Sequence, residues 1–127
     1  MSDCVLDASA LLALLNAENG ADLVQELLPE AVISTVNLAE VVTRLSAVGM
    51  PENEIRGTLS LLGLEAIPFS EEHAFLAGLL YARMQPLGLS LGDRACLALT
   101  QATSATAVTA DRIWGKLDIG VEIKLIR

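Results

Sequence analysis

The chain has 127 residues, enough for one domain with a genuine core; chains near this size bury roughly two thirds of the surface they expose when unfolded. Hydrophobic residues make up 53% of it and aromatics only 3%, so the core must be aliphatic, and no run reaches the ~18 uninterrupted apolar residues of a membrane span. A net charge of −8 and a pI near 4.4 argue against a basic nucleic-acid footprint, leaving two routes to such a ligand or partner: divalent cations held by acids, or a basic protein partner.

The N-terminus lacks a basic region followed by an apolar stretch and a cleavage site, so no signal peptide is expected, and a soluble, cytoplasmic protein is. Cys4-Val5-Leu6 reads as a buried strand that ends in Asp7. Cys4 and Cys96 are the only cysteines; both sit in apolar company and are expected as buried free thiols, since two isolated cysteines make no zinc site. Leu11, Leu12, Leu14 and Leu15 predict a mostly buried helix over Ser9 to Ala17, broken at Asn19-Gly20. A second short helix runs from Ala21 to Leu28 and stops at Pro29, and Ala31 to Ser34 is the second strand. Leu38, Val41, Val42, Leu45 and Val48 form the apolar stripe of a helix over Asn37 to Val48. Gly49 closes it, Pro51 opens the next helix, and that helix ends near Leu62. Leu64 to Ile67 is a third strand. Ser70 then caps a long helix with Phe75, Leu76, Leu79 and Leu80 inward, terminated at Pro86-Leu87-Gly88. An apolar helix over Leu91 to Ala102, a strand over Thr106 to Thr109, a short helix over Arg112 to Leu117 and a strand over Val121 to Ile126 complete the chain. Strands alternating with helices predict a three-layer α/β/α fold, with a central parallel sheet of about five strands in a single domain spanning residues 1–127.

The acids fall in a pattern. Asp7 follows the first strand, Glu40 lies one turn inside the helix after the second, and Asp111 follows the fourth. Asp93 begins the helix before the fourth strand, and a helix joined to a strand by a short loop starts at the end where that strand finishes. All four carboxylates are therefore expected at one end of the sheet, where open α/β sheets bind ligands. Each also has a plain reading: Asn37-x-x-Glu40 and Ser90-x-x-Asp93 look like capping boxes, Asp7 and Asp111 are good N-caps, and Glu40 can pair with Arg44. Capping does not require the four to share one edge. At ~4 Å and an effective dielectric of ~20, each pair of like charges costs about 4 kcal/mol, so such a cluster needs protons or cations. Oxygen donors without His or Cys point to Mg²⁺ or Mn²⁺, which activate water and stabilise charge at a phosphate.

Four segments carry a resemblance: Val5-Leu6-Asp7-Ala8-Ser9-Ala10-Leu11-Leu12, Ser34-Thr35-Val36-Asn37-Leu38-Ala39-Glu40-Val41, Leu89 to Leu99 around Gly92-Asp93-Arg94-Ala95-Cys96, and Thr109-Ala110-Asp111-Arg112-Ile113-Trp114. In this order and at these separations the chain resembles the PIN domain, and within it the VapC-type toxins of toxin–antitoxin pairs. The resemblance covers the whole chain. It implies a Mg²⁺- or Mn²⁺-dependent endoribonuclease that cleaves single-stranded or looped RNA by metal-activated water, a homodimer, and a cognate antitoxin. The net charge of −8 suits an antitoxin with a basic C-terminal segment. By this resemblance Asp7, Glu40, Asp93 and Asp111 are the catalytic, metal-binding acids. Ser9 and Thr109 match hydroxyls that hydrogen-bond within the site, and Asn37 matches a polar position one turn before the glutamate. Ser104 stands where many relatives have Gly.

Arg94, Arg112 and Lys116 lie near the acidic edge and either contact RNA phosphates or balance surface charge. His73, the only histidine, is expected on a surface-facing first turn, Trp114 as a core anchor, and Asp118 as a solvated loop residue. Two other functions compete. A phosphoacceptor switch lacks the lysine such domains carry after the penultimate strand and, for a phosphatase of the haloacid-dehalogenase type, has Ser9 where a second Asp belongs. A PIN-fold binding module with little nuclease activity, acting through its partner, is the alternative.

Overall fold

The computed structural model describes residues 3–84 and 87–127, and its centre is a sheet of five short parallel strands. These are β1 (Cys4–Leu6), β2 (Ala31–Ser34), β3 (Glu65–Ile67), β4 (Thr106–Thr109) and β5 (Glu122–Leu125), in the order β3-β2-β1-β4-β5. The helices are α1 (Ala8–Leu15), α2 (Ala21–Leu27), α3 (Thr35–Ala47), α4 (Glu52–Leu61), α5 (Glu71–Met84) and α6 (Leu91–Thr103), with 3-10 turns at Leu28–Glu30 and Arg112–Lys116. The three-layer parallel architecture expected from the sequence is the one observed. The helix stop expected at Pro86 lies outside the described residues.

Burial follows the pleat, because successive strand side chains point to opposite faces. Val5, Val32 and Ala107 pack on one side with Leu80, Leu97, Leu99 and Trp114, beneath α5, α6 and the 112–116 turn. Cys4, Leu6, Ala31, Ile33 and Val108 face the other side, against α1, α2, α3 and α4. With a few aliphatic residues per strand buried on both faces, the interior strands read as short apolar runs, which is why they were legible. Cys4 and Cys96 are buried free thiols, and burial pushes the Cys96 thiol well above its ordinary range.

Three expectations need correcting. The third helix starts at Thr35 rather than Asn37: Ser34 ends β2 and also caps the helix, its hydroxyl accepting from Val36 N at 3.2 Å. Asn37 therefore sits inside the helix, and Asn37-x-x-Glu40 is not a capping box. On α5, Phe75 and Leu79 point outward, 65% and 72% exposed, while His73, Ala77 and Leu80 face in. The rotation is fixed by α6, whose Arg94 donates from Nη1 to the Ala77 carbonyl at 2.9 Å. His73 is accordingly buried, its ring edge-on to Phe69 at 6.3 Å.

β1 lies at the middle of the sheet. The chain moves out from it through β2 to β3, then crosses to the opposite side for β4 and β5. The crevice between the carboxyl ends of β1 and β4 is thus the topological switch point, where open parallel sheets place their ligands.

Candidate active site

Asp7 and Asp111 leave the two strands that flank this crevice. Asp7 caps α1, its Oδ1 accepting from Ala10 N at 2.8 Å. The Ser9 hydroxyl lies 2.7 and 2.9 Å from its two carboxylate oxygens, and the Thr109 hydroxyl donates to Oδ2 at 2.5 Å. Both hydroxyls also accept a backbone N–H: Ser9 Oγ from Ala110 at 2.9 Å, Thr109 Oγ1 from Asp111 at 3.0 Å. Each hydroxyl has one proton to give, and with its acceptor side occupied that proton goes to Asp7. The pair thereby ties the Asp7 carboxylate to the loop that carries Asp111. Asp7 is 4% exposed, and burial pushes its carboxyl up to about 6, against the lowering pull of Thr109, Ala10 and Ser9; the Asp93 charge adds a smaller push upward.

Asp111 is exposed and caps the 3-10 turn, accepting from Ile113 N at 3.1 Å. Asp93 closes a capping box on α6: its Oδ2 accepts from Ser90 N at 2.8 Å, while Ser90 Oγ accepts from Asp93 N at 3.2 Å. These capping roles are those read from the sequence, and each leaves carboxylate lone pairs free. Glu40, one turn into α3, is held differently. The Asn37 amide donates to its Oε1 at 2.8 Å and to the Gly92 carbonyl at 2.9 Å. Among the described residues, no ion pair joins Glu40 to Arg44.

Asp7, Glu40, Asp93 and Asp111 line one cleft of about 420 Å³, together with Ser9, Asn37, Thr43 and Arg44. A larger and mostly apolar groove of about 810 Å³ runs between α3 and α4 and contains none of the four acids, all of which line the smaller cleft. Thr109 is fully buried just behind the cleft, in contact with Asp7. Arg94, Arg112 and Lys116 are not among the residues lining the cleft. Arg94 also lies 5.3 Å over the Tyr81 ring, and Arg112 donates from Nε to the Arg127 carbonyl at 3.2 Å. Trp114 is fully buried in the core, and Asp118 is exposed, with its carbonyl accepting from Arg83.

The cation lining the cleft is Arg44, which sequence reasoning considered only as a partner for Glu40. Gly92 was also passed over. A glycine inside a helical pattern was the available signal, since it forfeits helix stability unless packing or function requires it.

The donor set suits a hard divalent cation: four carboxylates and an amide oxygen, with no thiolate or imidazole. Asn37 is 1% exposed, and its Oδ1 is buried without a hydrogen-bond partner. A flipped amide is ruled out, because both neighbours of Nδ2 are acceptors. Among the described residues, no three His, Cys, Asp or Glu side chains converge as a ready-made cage.

A family model described as PIN domain matches residues 4–120. The chain belongs to the PIN domain family. Solved structures of similar fold span essentially all of this PIN domain. DNA-bound VapBC from Salmonella typhimurium aligns with a TM-score of 0.79 at 17% identity, covering 100% of both chains. A toxin–antitoxin complex from Klebsiella pneumoniae gives 0.76 at 20% identity over 98% of each chain. DNA-bound VapBC2 from Rickettsia felis gives 0.75 at 20% identity, covering 95% of this chain and 96% of that one. At these identities the likeness is one of fold. Comparison with curated proteins returned no match.

Proposed function

We propose that this PIN domain is a Mg²⁺- or Mn²⁺-dependent endoribonuclease, the toxin of a toxin–antitoxin pair, that cuts single-stranded or looped RNA in the cytoplasm. The observation that carries the reading is that Asp7, Glu40, Asp93 and Asp111 all line one cleft at the switch point of the sheet. These acids would hold the cation. When bound, it supplies charge neutralisation and water activation next to a phosphodiester. Within the chain, Ser9 and Thr109 fix the Asp7 carboxylate, Asn37 fixes Glu40, and Arg44 offers the cleft a positive charge for a phosphate. Arg94, Arg112 and Lys116 stand outside the lining, so Arg44 replaces them as the first candidate for RNA contact.

Solved structures of similar fold include a toxin–antitoxin complex, which supports a cognate antitoxin here. A basic C-terminal antitoxin segment fits a chain of net charge −8. The homodimer rests on the resemblance and on the outward Phe75 and Leu79 of α5, an apolar surface of the kind that marks interaction sites. No helix among the described residues is long and apolar enough to cross a membrane.

The likeness to a solved toxin–antitoxin complex also fits a PIN-fold binding module with little nuclease activity, acting through its partner. Incubation of the purified chain with single-stranded RNA and Mg²⁺ or Mn²⁺ separates the two. The nuclease reading expects fragments with 5′-phosphate and 3′-hydroxyl ends, formed only with the cation present. It also expects Asp7→Asn and Asp111→Asn to reduce the rate at least about a hundredfold, the upper end of what loss of an outer partner of a metal site costs. No cleavage at any cation concentration supports the binding module. Cleavage undiminished in both variants overturns the site assignment.

A further inference from the structure

We infer that Gly92 is a positioning residue for Glu40: its missing side chain is the space in which the Glu40 carboxylate rests against the first turn of α6. The inference rests on the reading of the acidic cleft as a cation site and names a residue on which that site depends.

A Cβ built at Gly92 would lie 2.6 Å from Glu40 Cδ, closer than real Cβ contacts allow. The backbone does not ask for glycine there. Gly92 is helical and is not among the positive-φ glycines of the chain. Gly is a poorer helix former than Ala, so α6 gives up some helix propensity in its first turn. Two other helical glycines, Gly57 in α4 and Gly78 in α5, have nothing within 4 Å of the position a Cβ would take. Gly92 alone among these three faces a functional side chain.

The seat has a clasp. Asn37 spends both amide hydrogens across it, one on Glu40 Oε1 and one on the Gly92 carbonyl. Glu40 of α3 is thereby held on α6 beside Asp93, the next residue after the seat. The atoms a new Cβ would strike belong to the end of a flexible side chain, not to backbone. An alanine at 92 therefore leaves the fold intact and moves the carboxylate off its clasp. The cost falls on the site, whereas a merely structural glycine would place it on the fold.

A double-mutant cycle with Gly92→Ala and Glu40→Ala tests this, with two readouts. The first is Mn²⁺ affinity by calorimetry on the purified chain. Gly92→Ala is expected to weaken it about tenfold, the scale of losing an outer-shell partner, and to add no further loss in the Glu40→Ala background. Equal affinity in Gly92→Ala and wild type, or an equal loss in both backgrounds, overturns the inference. The second is metal-free thermal stability. Gly92→Ala is expected to raise Tm by a few degrees in the Glu40→Ala background, through better helix propensity, and by less in wild type, where it also breaks the Asn37–Glu40 bond. The same shift in both backgrounds overturns the inference. If wild type binds no Mn²⁺, the cation reading fails, and the seat is then judged by the stability cycle alone.

Discussion

Asp7 is the most heavily constrained residue of the site. It accepts from two hydroxyls and a backbone N–H, yet burial outweighs these and holds its carboxyl at about 6, above the ordinary 3.8. A folded-state pKa above the unfolded one means the metal-free native chain binds the proton more tightly. The stability this adds is present below pH 4 and is lost as pH rises through 6, in total on the order of 3 kcal/mol. In melts without divalent metal, the Tm of wild type minus that of Asp7→Asn should therefore fall between pH 4 and pH 7; a difference that is flat or rises with pH contradicts the assignment. Thr109→Val removes the hydroxyl that bridges Asp7 and the Asp111 amide, at a cost of about 1–3 kcal/mol. The Tm loss should be larger at pH 8, where Asp7 is charged, than at pH 5. At this scale the placement of the four acids at one end of the sheet was legible, because their spacing relative to strand ends and helix starts is a property of the sequence, whereas Ser9, Thr109 and Asn37 were pointed to only by the family resemblance. Arg44 and Gly92 were not legible, because their roles depend on which neighbour lies across the cleft.

Two helices with different logic bring the acids together. α6 presents Asp93 through its capping box, and Ser90→Ala should cost about 1 kcal/mol, read as a lower denaturant midpoint at unchanged slope. α3 presents Glu40 from its second turn, and the start of α3 was misplaced because Ser34 serves as both the last strand residue and the cap, leaving no loop to read. α5 misled for a related reason. Its apolar residues are spread around the helix, so periodicity did not select a face, and the contact with α6 through Arg94 and Ala77 did. Leu79→Glu on its exposed face should leave the chain folded, with Tm lowered only by the stability that association supplied. In size-exclusion chromatography it should convert a dimer to a monomer; a dimer that persists removes α5 from the proposed interface.

Across the whole molecule, the order β3-β2-β1-β4-β5 explains why acids far apart in sequence meet. β1 and β4 are neighbours, so the segments after them flank one crevice, while α3 and α6 deliver the other two acids from its sides. The alternation of strands and helices made the parallel sheet legible; the strand order was not, since periodicity does not say which strand pairs with which. A chain of net charge −8 with its acids gathered at one cleft has reason to bind a cation, and binding to the native state must stabilise it. Saturating Mg²⁺ should raise Tm, more at pH 8 than at pH 5.5, where a proton competes at Asp7. The most direct measurement is a calorimetric titration of Mn²⁺ into wild type, Asp7→Asn and Asp111→Asn at pH 7.5. Saturable binding to wild type, weakened at least about tenfold in each variant, is the predicted result. No saturable binding to wild type, or the same affinity in all three proteins, contradicts the acidic cleft as the cation site.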